Sequence, residues 1–505
     1  MIDINKKYVI NPDYILKNDK KRILLYFRYN PLFHPQSEYD SEARFFSFIH
    51  PKQAKIFTLF NGKRSLLDII NEIAKMLNVS IDRSIELITP FIENKKTLGI
   101  NYQNNKFAIP KQMLVPIKEN STIFSYNKED FECKEFDFKQ RRIINYPLEV
   151  TLMLNTICEV DCIYCYADCR KKMDCQIPIE TLDKLIDDCQ KNDVRAFNLM
   201  GGEVLKYKNW KWLLTKLISC GYTPYISTKI PLKESIVDEL HSIGIRSFQI
   251  SLDSFDVNIL EKNLNIKNGN VYLENMKKTL SYFEKIGIDL YIHAVITAYN
   301  KDVKHLKEYL NNLSHFKNIK NVQISIVGES LYKDGYQKHK LNRVDVKKIS
   351  EFINEISIAS TYTFSISFSP GAIRDIFFED EKTKEEKFNK RGICTANIFQ
   401  IFILPDGNVT ICEELMFNPR FFLGNILTKN LKTIWEENKL SSLSNHKLYK
   451  NSNCGQCKKY TFCKGTESRG VCWKEIIHAY GEDKWNYPDP KCPYAPKEMN
   501  QFYII

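Results

Sequence analysis

The sequence predicts an α/β fold: a partial TIM-like (β/α)6 barrel, preceded by a small winged-helix module and followed by a loop-rich segment held by metal centres. Three observations carry this expectation. Six strand-like runs alternate with helical stretches between residues 143 and 335; strand-like runs precede three helical ones before residue 110; and seven of the fifteen cysteines crowd into residues 394–505, where regular periodicity fades. A chain of 505 residues is long enough for two to four domains.

Residues 1–110 form the first zone. "KRILLYFRY" and "EARFFSFIH" read as strands. "PKQAKIFTLF" has a proline at a helix start, and "SLLDIINEIAKMLNV" has Ser65 as N-cap with apolar residues at helical spacing. "DRSIELITPFIENKKTLGI", residues 82–100, is expected as a third helix bent at Pro90. Residues 111–142 carry little periodicity and read as a linker. The barrel strands of 143–335 are "YPLEVTLMLNT", "AFNLMGG", "TPYISTK", "SFQISLDS", "DLYIHAVIT" and "NVQISIV". In such folds chemistry gathers at the C-terminal ends of the strands. Residues 336–393 bridge to the last zone, and their charge run "FEDEKTKEEKFNKR", 378–391, reads as a solvated helix or linker. Residues 394–505 have too little apolar periodicity for a conventional core, so metal centres are expected to hold them.

Bulk properties narrow the class. With 43% hydrophobic and 27% charged residues the composition is that of a globular protein rather than a disordered one. The start lacks the apolar stretch of a secretory signal and no later run is long enough to span a bilayer, so a cytoplasmic protein without membrane association is expected. In that compartment fifteen cysteines point to metal or redox chemistry rather than disulfides. The net charge of +12 favours an anionic partner, but the lysines are spread along the chain and the charge serves only as a tie-breaker.

The most informative stretch is "NTICEVDCIYCYADC", directly after the first barrel strand. It spaces Cys158, Cys162 and Cys165 as C-x3-C-x2-C, with Cys169 following. Three thiolates on one short loop hold three irons of a [4Fe–4S] cube and leave the fourth iron open to a ligand. A zinc site with Cys169 as fourth ligand is the alternative, although zinc usually takes two spaced pairs. Buried free cysteines rarely bunch in this way.

The loop, with Tyr164 before its last cysteine, resembles the signature of the radical SAM enzymes. The resemblance implies that the open iron chelates S-adenosyl-L-methionine, whose reductive cleavage gives methionine and a 5′-deoxyadenosyl radical. "MGGE" ends the second strand, and Gly201, Gly202 and Glu203 resemble the family's GGE motif, which meets the methionine amino group. Glycines permit close backbone approach, and a carboxylate accepts hydrogen bonds from an ammonium group. Ser227 and Lys229 end the third strand, and Ser251 and Asp253 the fourth. The resemblance suggests Ser227 and Ser251 for ribose and carboxylate contacts, with strand-end capping as the equal alternative, while Lys229 and Asp253 are alternatively substrate-orienting. His293 reads as a strand histidine facing the barrel interior or a helix rather than a catalytic base.

The C-terminal cysteines resemble the SPASM domain, which carries auxiliary [4Fe–4S] clusters. By that pattern Cys454, Cys457, Cys463 and Cys492 bind an outer cluster, and Cys394, Cys412 and Cys472 an inner one, for three clusters in all. The chain departs from the pattern twice. Eight residues, "KGTESRGV", separate Cys463 from Cys472 where three are usual, and no cysteine lies shortly upstream of Cys394. The inner cluster's remaining iron is therefore open to a substrate thiolate or bound by another group, with Cys133 a distant candidate. A zinc ribbon remains the alternative for the outer four.

The N-terminal module resembles the leader-recognition element of enzymes that modify ribosomally made peptides, in which an exposed strand edge pairs with an extended leader. A DNA-binding winged helix is the competing reading, but "SLLDIINEIAKMLNV" is mostly apolar and acidic where a recognition helix is basic, so no nucleic-acid partner is expected. Together the resemblances imply a radical SAM peptide maturase with a precursor peptide as substrate and a flavodoxin- or ferredoxin-type electron donor. Cysteine thioether formation is the leading product. Carbon–carbon cross-linking and epimerisation are the nearest alternatives, followed by action on a folded protein residue, as in sulfatase maturation, or on a small metabolite, and last by a winged-helix Fe–S regulator.

Overall fold

The computed structural model describes residues 3–33, 41–102, 105–118, 123–138, 140–370, 381–390, 394–464 and 471–496. The chain divides into two compact units, residues 1–146 and 147–505. In the first, β1 (Tyr8–Ile10), β2 (Tyr14–Asn18), β3 (Ile23–Phe27) and β4 (Phe46–Ile49) precede α1 (Pro51–Phe57), α2 (Leu66–Leu77) and α3 (Ile81–Ile88). β2, β3 and β4 form an antiparallel sheet in that order. α2 starts on a capping box, in which Ser65 and Asp68 satisfy each other's backbone N–H groups. It buries Leu66, Ile69, Ile70 and Ile73 against the sheet's core, about 1.5–3 kcal/mol for each side chain, and Asn78 in the left-handed region ends it.

The stretch 82–100 is not one helix. α3 stops at Ile88, Pro90 lies in a 3-10 turn at Thr89–Phe91, and Glu93 adopts φ +49°. Proline has no N–H to continue the ladder and disfavours helical backbone before it. From residue 98 the chain forms a hairpin, β5 (Leu98–Tyr102) with β6 (Asn105–Ile109). Residues 111–142 are likewise more than a linker. β7 (Leu114–Pro116) pairs with β1, and Met113, Leu114 and Phe131 enter the core. Buried Arg22, ion-paired to Asp19 at 3.0 Å, donates to the Arg142 carbonyl at 2.6 Å and fastens the end of this stretch.

The second unit is an α/β partial barrel. Its strands are β8 (Glu149–Met153), β9 (Ala196–Met200), β10 (Ser227–Thr228), β11 (Ser247–Ser251), β12 (Asp289–Ile296) and β13 (Ile319–Ile326), matching the six runs read from sequence. Helices α4 (Ile179–Lys191), α5 (Trp210–Ser219), α6 (Glu234–Ile243), α7 (Val257–Leu264), α8 (Gly269–Ile286) and α9 (Val303–Leu313) alternate with them. All adjacent barrel strands run parallel, the step from β9 to β10 being a bridge between Asn198 and Tyr225.

Two features extend the predicted barrel. After α10 (Tyr336–His339) and α11 (Arg343–Ile358), β14 (Ser365–Ser369) adds a seventh parallel strand beside β13. After α12 (Glu381–Lys390), β15 (Gln400–Ile403) pairs in parallel with the other side of β8 and continues antiparallel into β16 (Asn408–Thr410) and β17 (Gly424–Asn425). Part of the charge run 378–391 is thus helical at α12; its remaining residues lie outside the described ones. Beyond come α13 (Leu431–Glu437), α14 (Tyr460–Cys463) and α15 (Trp473–Tyr480), with short 3-10 turns between α13 and α14 and another after α15. Among the described residues no helix is long and apolar enough to cross a membrane.

Candidate active site

The cysteine loop leaves the C-terminal end of β8 and is tied to the loop that leaves β9. Asn155, fully buried, organises the join: its side chain donates to the Glu203 carbonyl at 2.9 Å and accepts from Ile157 N at 3.0 Å, while its own carbonyl accepts from Gly202 N at 2.9 Å. Glu203 N donates to the Ile157 carbonyl at 2.7 Å. A Cβ on Gly201 would stand 2.8 Å from the Asn155 carbonyl, and one on Gly202 would collide with the Ile157 backbone. The two glycines therefore admit the cysteine loop itself at close range, a reason that the motif reading had assigned to a ligand. From the other side, Asp161 N and Ile163 N donate to the carbonyls of Leu264 and Asn263 at the end of α7.

Burial and charge shape this site. The Glu203 carboxyl, 2% exposed, accepts from Thr228 Oγ1 at 2.7 Å, and burial pushes its pKa up to about 7 despite that bond. Lys229 Nζ donates to Tyr164 OH at 2.7 Å and lies 3.4 Å from Asp253 Oδ1, and the Tyr164 hydroxyl donates to the other Asp253 oxygen. Burial drives Lys229 toward its neutral form, but Asp253 and Cys162 together hold its pKa above the usual value. Burial pushes Cys162 up to about 12 with Lys229 opposing, whereas the Cys169 thiol hydrogen-bonds Cys165 and lowers it to about 6. Cys169 also packs beside Met153, Ala167, Leu404 and Met416.

Below the loops the barrel interior is polar. Along β12, Leu290, Ile292, Ala294 and Ile296 are buried, and the alternate Tyr291, His293 and Val295 face the opposite side of the sheet. His293 Nε2 lies 3.0 Å from Ser325 Oγ, and Tyr225 OH donates to Gln249 Oε1 at 2.9 Å, from which Nε2 donates to Ser251 Oγ at 3.0 Å. Burial, helped by Lys229, pushes His293 down to about 4, so the ring is neutral. Ser227, the first residue of β10, is half-buried.

The C-terminal cysteines separate into two places. Cys454, Cys457, Cys463 and Cys492 line one pocket together with Tyr460, Lys464 and Asp489. Cys412 and Cys472 stand near enough to influence each other's ionisation, as do Cys472 and Cys394, and burial raises all three. Cys133, the distant candidate for the inner site, packs on the core of the first unit. Among the described residues no three Cys, His, Asp or Glu side chains form a group around a single metal ion. Four thiols lining one shared pocket, and a cysteine loop with an acidic strand end beside it, are donor sets that fit iron–sulfur clusters and an amino-acid ligand.

Sequence reasoning missed Asn155, Thr228 and Lys464. Asn155 had a local signal, an asparagine two residues before a loop amide it can cap; the partners of the other two come from distant segments.

Residues 152–310 match the family model described as the radical SAM superfamily, and residues 394–458 match SPASM, an iron-sulfur cluster-binding domain. The chain carries a radical SAM domain followed by a SPASM domain. A GTP 3′,8-cyclase of Clostridium botulinum (strain Hall) is 25% identical over 206 residues, 39% of this chain. The chain spans 62% of the length of that curated relative. Streptococcus suis SuiB bound to S-adenosylmethionine superposes with a TM-score of 0.63 at 16% identity, covering 96% of this chain and 99% of SuiB. SuiB bound to its precursor peptide SuiA gives a TM-score of 0.61 at 17% identity, covering 95% and 98%. At such identities the likeness is one of fold. The radical SAM match runs from the end of β8 into α9 and so includes the cysteine loop and the Gly-Gly-Glu strand end, and the two domain types imply Fe–S clusters and S-adenosylmethionine as cofactors.

Proposed function

We propose that this chain is a radical SAM enzyme that modifies a ribosomally made precursor peptide, installing a cysteine thioether. The observation that carries the reading is the join between the cysteine loop and the Gly201-Gly202-Glu203 strand end at the mouth of a polar barrel. Cys158, Cys162 and Cys165 hold the catalytic cluster, and the C-terminal cysteines hold two more, Cys394, Cys412 and Cys472 the inner and Cys454, Cys457, Cys463 and Cys492 the outer. When bound, these groups supply the electron that cleaves S-adenosylmethionine and an acceptor for the electron that cross-linking releases.

The chain's own residues have separate tasks. The buried Glu203 carboxyl, held by Thr228, receives the methionine ammonium, whose charge compensates a carboxylate that burial otherwise disfavours. Asp253, Lys229 and Tyr164 fix one another beside Cys162, and Ser227 and Ser251 offer hydroxyls on the adjacent strands β10 and β11. Tyr291, His293 and Ser325 line the interior in which a peptide's amides find partners, the neutral His293 ring taking part by hydrogen bonding. The first unit binds the leader through a strand edge; SuiB, of like fold over nearly the whole chain, has been seen with a precursor peptide. In balance, the peptide loses one hydrogen atom to 5′-deoxyadenosine and one as the thiol proton plus an electron, and a C–S bond forms.

Anaerobic turnover with S-adenosylmethionine, a low-potential reductant such as a reduced flavodoxin or ferredoxin, and precursor peptides encoded beside the enzyme tests this. A product lighter by two hydrogens whose cysteine no longer reacts with iodoacetamide is expected. A product of that mass with a free thiol replaces the thioether by a carbon–carbon link; unchanged mass with an inverted residue makes it an epimerase. Absence of 5′-deoxyadenosine removes the radical reading itself.

A further inference from the structure

Lys464 follows Cys463 at the point where this chain inserts extra residues into the SPASM spacing, and its side chain turns inward. It is 4% exposed. Its Nζ donates to the Tyr487 carbonyl at 2.6 Å and the Asn486 carbonyl at 3.4 Å and lies 4.5 Å from the Tyr449 ring centre, in the pocket that Cys454 and Cys463 also line. Two carbonyls and an aromatic face orient the ammonium, and the negative groups facing it are the buried Asp489 carboxyl and the Cys454 and Cys463 sulfurs. The same pocket carries Cys454, Cys457, Cys463, Cys492 and Asp489.

We infer that Lys464 is a positioning residue for the outer cluster, its ammonium serving as a fixed counter-charge beside the cluster's cysteines that raises the cluster's reduction potential. The inference rests on the reading that these four cysteines hold a [4Fe–4S] cluster. Four thiolates around the cube leave a net charge of about −2 when oxidised and about −3 after one-electron reduction. A nearby cation stabilises the second state more, and hydrogen bonds to cluster sulfur act in the same direction. The lysine's own backbone places it: Lys464 N donates to the Tyr460 carbonyl at 2.7 Å, closing α14 immediately beside Cys463.

The test compares the reconstituted full chain with Lys464→Met and Lys464→Arg, by iron and sulfide content and by EPR-monitored titration with dithionite and mediators. Cys454→Ala identifies which signal belongs to the outer site. The expected result is full iron content in Lys464→Met with the outer signal shifted to lower potential, at least a tenfold fall in its reduced-to-oxidised ratio at fixed poise, equivalent to about 59 mV for one electron. Lys464→Arg restores part of that shift, and the other clusters do not move. Loss of the outer cluster from Lys464→Met but not from Lys464→Arg also supports the counter-charge. An unchanged potential in Lys464→Met, or loss of the cluster from both variants, overturns the inference while leaving the cluster assignment standing. Iron content unaffected by Cys454→Ala, with no outer signal in the parent, overturns the cluster assignment as well.

Discussion

The cysteines of the 158–165 loop and those of the C-terminal pocket are brought together by different means. The loop hangs from parallel strands and is tied by backbone and Asn155 hydrogen bonds to the Gly202 strand end and to the end of α7. Around the C-terminal pocket the backbone is short 3-10 turns and the four-residue α14, packed on small clusters such as Tyr449 with Tyr460 and Val471 with Ile476. The first region is braced by regular elements and the second is not, so on the proposed cluster assignment the C-terminal cluster would serve as core as well as cofactor.

The strongest way to break this contrast is to remove thiols. Cys158→Ala, Cys162→Ala or Cys165→Ala should abolish 5′-deoxyadenosine formation with the barrel still folded. Cys454→Ala should retain part of the cleavage and lose the peptide product. Equal loss of cleavage in both sets would erase the distinction; chromatography of 5′-deoxyadenosine beside circular dichroism decides it.

Iron removal by a chelator should act next most strongly. Hydrogen exchange should lose protection in residues 446–464 and 471–492 while β9, β11 and β12 keep theirs, and uniform deprotection would sink the idea that only one region depends on its metal.

A smaller effect sharpens the loop side. Gly202→Ala drives a methyl group into the Ile157 backbone and should displace the loop, lowering the cleavage rate by roughly 100-fold with iron content intact. An unaltered rate would mean that the two loops are not a rigid pair.

The smallest effect is one of pH. The folded-state pKa of Glu203 is raised from 4.5 to about 7, so its contribution favours the ligand-free fold below pH 4.5 and is lost as pH climbs to about 7. Glu203→Gln should therefore stabilise the ligand-free protein above pH 7, by at most about 3 kcal/mol, and make little difference near pH 4. Urea titrations across that range read it; a stability gain that does not change with pH would assign the effect to packing.

The same contrast explains what was legible in the sequence. The barrel strands were readable because each is a local apolar run flanked by helical spacing, and the cysteine loop because its spacing is chemical. The β5–β6 hairpin was not, because the apolar residues of 82–100 fit a helix until Pro90 and Glu93 turn the chain. β14 and β15 were missed because a strand of four or five residues acquires meaning only from its neighbour, β13 in one case and β8 in the other. Lys464 was illegible for the same reason: the carbonyls that hold it belong to residues 486 and 487.

The pairing of β15 with β8 also bears on how the molecule is made. Glu149 and Gln400 are register partners about 250 residues apart, so during translation at about 5–20 residues per second β8 waits roughly 10–50 s for that neighbour. Until then β8 lacks the neighbour that pairs with its outer edge. Nascent chains stalled before residue 400 should accordingly alkylate readily at the cysteines of residues 158–165, and finished, cluster-free chains more slowly.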